Sequence, residues 1–164
     1  MAAEYDFARV GRPVLAGHVD FVLGHQAIRP FALDALVERL QPYPLKWDYI
    51  RFAAVNRDMV PKGPGIYLFV VHPRSANIER HSIILYFGRT KSLQSRFGDY
   101  LTERDTAGER SRKHVSDMLN IYKNRIEFGY ANLDYYDTEK VEDLLIDAFR
   151  PCCNQHVRKP LSAF

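Results

Sequence analysis

The sequence predicts an α+β fold: a small antiparallel sheet of about three strands, flanked by helices, behind an N-terminal helical extension. Three observations lead to it. Apolar runs of strand length occur at Ile66–His72, Ile83–Gly88 and Arg125–Leu133. Stretches with apolar residues at helical spacing follow the second and third of these runs. The resulting order, β-β-α-α-β-α, begins with a hairpin-like pair and lacks the strict alternation of a parallel α/β sheet.

Taken in order, Pro30–Leu40 reads as a helix, closed by the Pro-rich "QPYP", and a mixed apolar stretch continues to Asn56. "VPKGPG" (Val60–Gly65) is turn chemistry and marks a boundary. Residues 1–60 are expected as a partly helical extension packed on the core, and residues 61–164 as the main unit. The strand "IYLFVVH", a polar connection "PRSANIERHS" and the strand "IILYFG" come next. Ser92 is a plausible cap for the following helix. A further helix is expected over Glu109–Lys123. The strand "RIEFGYANL" precedes a last helix from about Asp137 to Arg150, which Pro151 stops.

Composition narrows the class. The chain has 164 residues and 46% hydrophobic content, ordinary for one domain with its own core. No run approaches the ~18 apolar residues of a membrane helix. "MAAEYDFARVGRP" has no apolar signal core. The two cysteines are the neighbours Cys152 and Cys153, a poor disulfide framework. A cytoplasmic protein without a membrane partner is therefore expected. Net charge is +3, but nine Lys/Arg against five Asp/Glu fall between Arg89 and Arg125. That asymmetry is compatible with one basic face able to hold a polyanion.

Several residues carry more than packing. Eighteen residues separate Tyr67 from Tyr86, and in a bulge-free hairpin that parity allows both on one face; coincidence is the competing explanation. In the next helix Leu93, Phe97 and Leu101 form the buried stripe, with Arg96 at its edge and Tyr100 between. Arg96 is either aimed over the end of the preceding strand or a snorkelling surface arginine. In the last helix Glu142 falls inside the apolar arc of Val141, Leu144, Leu145, Ile146, Ala148 and Phe149. A carboxylate there needs a cation, a metal or a shifted pKa, and a salt bridge to a nearby arginine is the structural alternative. His72, His81 and His156 show no zinc-like spacing with cysteines.

"GIY" (Gly65–Tyr67) and "YFG" (Tyr86–Gly88) resemble the two signature motifs of the GIY-YIG endonucleases. "YFGRTKSLQSRFGDY" is similar to that family's second strand and following helix, with Arg96 ten residues after the motif tyrosine. "EDLLIDAFRPCCN" resembles its final block, with Asn154 twelve residues after Glu142. The blocks span roughly Pro61–Asn154. Two departures stand out: the connection between the tyrosine motifs is long, and Cys153 precedes Asn154 where an aromatic residue is frequent.

The resemblance implies a phosphodiester hydrolase acting on DNA. Glu142 would bind one divalent cation, Mg²⁺ or alternatively Mn²⁺. Arg96 would neutralise phosphate oxygens, and Asn154 would orient the glutamate or the metal's waters. One motif tyrosine would act as the base or relay the water's proton, Tyr67 in preference to Tyr86, and the other would position phosphate and water; the sequence leaves both assignments open. Arg89, Lys91, Tyr100 and His114 are expected to meet the substrate. A restriction-like, phage-defence or DNA-processing enzyme is implied. The resemblance does not reach residues 1–60, which are expected separately as a docking surface for a protein partner or a second copy. The alternative is a non-catalytic nucleic-acid-binding or protein-interaction module that retains the fold.

Overall fold

The computed structural model describes residues 30–72, 82–105 and 113–154. His81, His156, most of the polar connection, the start of the helix expected over Glu109–Lys123, and the first part of the N-terminal extension lie outside the described residues. The elements are α1 (Pro30–Leu40), β1 (Asp48–Arg51), a 3₁₀ helix (Ala54–Met59), β2 (Gly65–Val71), β3 (Ile83–Thr90), α2 (Leu93–Asp105), α3 (Lys113–Ile121), β4 (Ile126–Asn132) and α4 (Tyr135–Phe149). The strands form one antiparallel sheet in the order β1-β4-β2-β3.

The α+β class is as expected, but the described sheet has four strands rather than three. The addition, β1, pairs Asp48–Arg51 with Tyr130–Glu127 of β4. It has four residues, of which only Ile50 is turned partly inward, so it carries no alternation long enough to read as a strand. It precedes the Val60–Gly65 turn and yet belongs to the same sheet as the strands after it.

Every residue of β2 is buried, because helices cover both faces of the sheet. On one face Tyr67, Phe69, Val71, Leu85, Ile126 and Phe128 pack under Leu93, Phe97 and Tyr100 of α2 and Val115, Met118 and Leu119 of α3. On the other, Ile66, Leu68, Val70, Phe87 and Ala131 meet Val141, Leu144, Leu145 and Ala148 of α4, with Leu36 of α1 in the same cluster. Such double coverage explains why β2 reads as an unbroken apolar run. Gly65 is required at its start, since a Cβ there would overlap the Ala131 carbonyl oxygen.

Local signals set the helix ends. The Ser92 Oγ accepts a hydrogen bond from the Ser95 N–H at 3.3 Å, the expected cap. Asp134 caps α4 by accepting from the Tyr136 N–H at 2.9 Å. The helix closes where Arg150 adopts a left-handed conformation (φ 43°) and its N–H bonds the Ile146 carbonyl at 2.8 Å. Pro151 then prevents continuation.

Phe69 is fully buried and meets Phe52, Tyr100 and Phe128 edge-on, with ring centroids 5.0 to 5.5 Å apart. Phe69→Ala should cost about 3–5 kcal/mol in urea unfolding. A cost below about 1 kcal/mol would be incompatible with this core.

Candidate functional site

Strand pairing brings the motif tyrosines together. Tyr67 lies opposite Gly88, and Phe69 opposite Tyr86. The hairpin is not bulge-free: the ladder passes from Phe69–Tyr86 to Val70–Ile84, leaving Leu85 without an opposite residue. Both tyrosine pairs lie on the same side of that bulge, so they share the face covered by α2, as the parity allows. Their ring centroids are 6.2 Å apart. Gly88 makes room for this, because a Cβ on it would overlap the Tyr67 ring and hydroxyl.

Tyr67 and Tyr100 are 2% and 0% exposed, and their hydroxyls are hydrogen-bonded at 2.8 Å inside the core. Tyr100, expected against substrate, lies in the core with its hydroxyl on that of Tyr67. Burial pushes the pKa of Tyr67, the expected base, well above 10.0. Charge on Tyr100 and Tyr86 and the Tyr100 hydrogen bond push the same way, and only Arg96 opposes them. Tyr86, half-buried, is the member of this trio that reaches solvent.

Arg96 packs beside the trio, its guanidinium carbon 6.0 Å from the Tyr100 ring centroid. Its Nε is buried with no hydrogen-bond partner among the described residues. Its Nη1 reaches the Asp99 Oδ2 at 3.7 Å, one turn along α2. The cation therefore stands at the edge of the aromatic cluster with its head turned outward.

Glu142 is paired with an arginine in this structure. Its Oε2 accepts from the Arg89 Nε at 3.1 Å, and the Arg89 Nη2 lies 3.4 Å from the Glu139 Oε1. Arg89, opposite Ile66 in the ladder, sits on the α4 side, whereas the tyrosines and Arg96 sit on the α2 side. Successive residues of β3 thus serve two groups: Gly88 lies under Tyr67, and Arg89 holds Glu142. The sequence does not single out Glu139, although its place three residues before Glu142 puts both carboxylates on neighbouring positions of α4.

Asn154, expected beside Glu142, bonds the backbone of β3. The Phe87 N–H donates to its Oδ1, and its Nδ2 donates to the Phe87 carbonyl, each at 2.8 Å. The amide thus clamps the backbone of β3 between Tyr86 and Gly88. Lys91 is exposed, with its Nζ 4.9 Å from the Tyr135 ring centroid, and His114 is half-buried on α3.

For a metal, no group of three or more His, Cys, Asp or Glu residues occurs among the described residues. A lone carboxylate suits Mg²⁺, which keeps several waters and takes substrate oxygens as its remaining ligands. Glu142 meets that requirement if Arg89 gives way.

No protein-family model matches the sequence, and no curated protein matches it. Solved structures similar to it include the GIY-YIG N-terminal endonuclease domain of UvrC from Thermotoga maritima bound to magnesium, its catalytic divalent cation. That domain is 20% identical, with 61% of this chain and 92% of that one covered, at a TM-score of 0.41. A point mutant of the same domain, also bound to its catalytic divalent cation, is 18% identical over 62% of this chain and 93% of that one, at a TM-score of 0.42. Superposition this loose transfers no residue roles.

The Tyr67 pKa has a sign that can be tested. It is raised in the fold, so its stabilising contribution is complete below pH 10.0 and is lost as pH rises above that value. Tyr67→Phe should reduce the alkaline fall in unfolding free energy by about one proton's worth of slope. An unchanged slope would mean that the hydroxyl is solvated.

Proposed function

We propose that this chain is a metal-dependent endonuclease of GIY-YIG type that hydrolyses DNA phosphodiester bonds. The observation that carries this reading is the pairing of Tyr67 and Tyr86 on one sheet face with Arg96 beside them. The motif set suits a restriction-like, phage-defence or DNA-processing role, and the cysteine usage suits the cytoplasm. No helix among the described residues is long and apolar enough to cross a membrane. Residues 61–164, with β1 added to their sheet, would form the nuclease unit, and the rest of residues 1–60 would offer a surface to a protein partner or a second copy.

In this reading Arg96 meets the non-bridging phosphate oxygens, an interaction whose removal typically raises a barrier by about 3–4 kcal/mol. Tyr86 replaces Tyr67 as the tyrosine at the water's proton, because it reaches solvent. Tyr67 holds its place through Tyr100, and Asn154 fixes the strand that presents Tyr86. Lys91, His114 and Arg89 meet neighbouring phosphates, Arg89 on leaving Glu142. Glu142 would hold one Mg²⁺, or Mn²⁺ in its place, which supplies positive charge for the developing oxyanion.

A second reading has its own observation. Arg89 already occupies the carboxylate that a metal would need, as suits a module that binds nucleic acid without cutting it. Cleavage of plasmid and branched DNA, with Mg²⁺ and with a chelator, separates the two. The nuclease reading expects metal-dependent cleavage that Glu142→Ala abolishes with no loss of DNA affinity, since the substitution frees Arg89. Tyr86→Phe should slow cleavage by about a hundredfold or more. Salt-dependent binding with no cleavage in either metal would establish the module instead.

Binding itself rests on the cations. Replacing Arg89, Lys91 and Arg96 by alanine should lower the salt slope of DNA affinity by about one for each phosphate no longer neutralised. An unchanged slope would place all three outside the DNA interface.

A further inference from the structure

The neighbours Cys152 and Cys153 form a feature that the proposed hydrolysis does not use. Their Sγ atoms are 3.7 Å apart, and the Cys152 Sγ lies 3.9 Å from the Leu85 carbonyl oxygen. Cys153 is buried and Cys152 half-buried, so one thiol is reachable and the other stands directly behind it. A buried cysteine is most often packing alone. Here the two sulfurs face each other, and the backbone that carries them is bonded to β3. The Cys153 N–H donates to the Leu85 carbonyl at 3.0 Å, at the bulge. The next residue is Asn154, whose amide clamps Phe87.

We propose that Cys152 and Cys153 are a peroxide-sensitive modification site whose oxidation frees the edge of β3. The Cys152 thiolate attacks a hydroperoxide oxygen; the O–O bond breaks, hydroxide leaves, and Cys152 becomes a sulfenic acid. The Cys153 sulfur then attacks the Cys152 sulfur, and the sulfenic hydroxyl leaves with the Cys153 proton as water. Two electrons pass from the sulfurs to the peroxide, and an intramolecular disulfide remains. Cys152 suits the first attack, since its pKa is lowered, chiefly by the hydrogen bond from Cys153. Burial raises the pKa of Cys153, so its proton leaves only as its sulfur attacks and the sulfenic hydroxyl departs.

Ring closure bears on the fold through one peptide. Neighbouring Cα atoms are about 3.8 Å apart across a trans peptide, closer than the ~4.4–6.8 Å usual for a disulfide. The sulfurs, 3.7 Å apart, must close to about 2 Å with the two Cα atoms held near each other, and closing so small a ring turns the backbone dihedrals on either side of the 152–153 peptide. That peptide supplies the N–H held by Leu85. Its rotation breaks that bond and displaces Asn154, the following residue, from Phe87.

The test uses the purified full chain and hydrogen peroxide, without any cleavage assay, so its outcome is independent of the nuclease reading. Mass spectrometry should find an intramolecular loss of two hydrogens in the peptide holding both cysteines. Cys153→Ser should stop at a sulfenic acid that dimedone traps. Hydrogen exchange at the Phe87 and Cys153 amides should rise at least ~10-fold on oxidation and return on reduction. Asn154→Ala in the reduced protein should reproduce the rise at Phe87. Thiols that survive excess peroxide, or a disulfide that forms only between chains, would overturn the site. Unchanged Phe87 exchange in the intramolecular disulfide form would overturn its link to β3.

Discussion

The structure depends on the burial of β2 on both faces. A strand with water on neither side must pair all its main-chain groups within the sheet, which β3 and β4 accomplish. It must also find polar partners for any side chain it carries inward. Tyr67 is the one polar side chain among its seven residues, and an unpartnered hydroxyl at that depth would cost about 1–3 kcal/mol. Tyr100 supplies the partner from α2. The hydroxyl that looked like a reagent is thereby part of what docks that helix on the sheet.

Because β3 is an edge strand, it links the two sides. Its alternating residues send Tyr86 toward the aromatic cluster and Phe87 toward α4, while Arg89 reaches the carboxylates of Glu142 and Glu139. Arg96 is likewise tethered, through Asp99. Both arginines of the proposed site are thus engaged with carboxylates in the absence of nucleic acid. A phosphate arriving there exchanges one anion for another and does not meet an uncompensated cation, which moderates the net electrostatic gain.

Much of this was legible in the sequence because it follows from periodicity and turn chemistry. The strand runs at β2, β3 and β4, the Ser92 cap and the stop at Pro151 all rest on local rules, and the structure keeps them. The face shared by the tyrosines was open to a parity count because the bulge at Leu85 falls beyond both pairs. β1 was not legible, since four mostly exposed residues gain strand character only from β4. The state of Tyr67 was hidden for a related reason: its burial comes from α2, and desolvation outweighs the nearby charge of Arg96. Glu142 stands out as anomalous on its helix, but its partner Arg89 is fifty-three residues away, and no local pattern chooses between a metal and an arginine. The placement of Asn154 on Phe87 spans sixty-seven residues and lies equally beyond reach of spacing.

The segment after α4 also settles a colloidal question. An edge strand presents main-chain donors and acceptors to whatever extended chain arrives first, and natural sheets cover or blunt such edges. Among the described residues the cover comes from the Cys153 N–H at Leu85 and the Asn154 amide at Phe87. The bonds that an intruding strand would make are partly replaced by groups from the chain itself, in a segment too irregular to template further pairing. A version of the protein shortened to the end of α4 would keep its core and nearly all its sheet, yet expose the side of β3 to edge-to-edge association. The turn after the last helix therefore blunts one edge of the sheet, the β3 side, against pairing with a neighbour's.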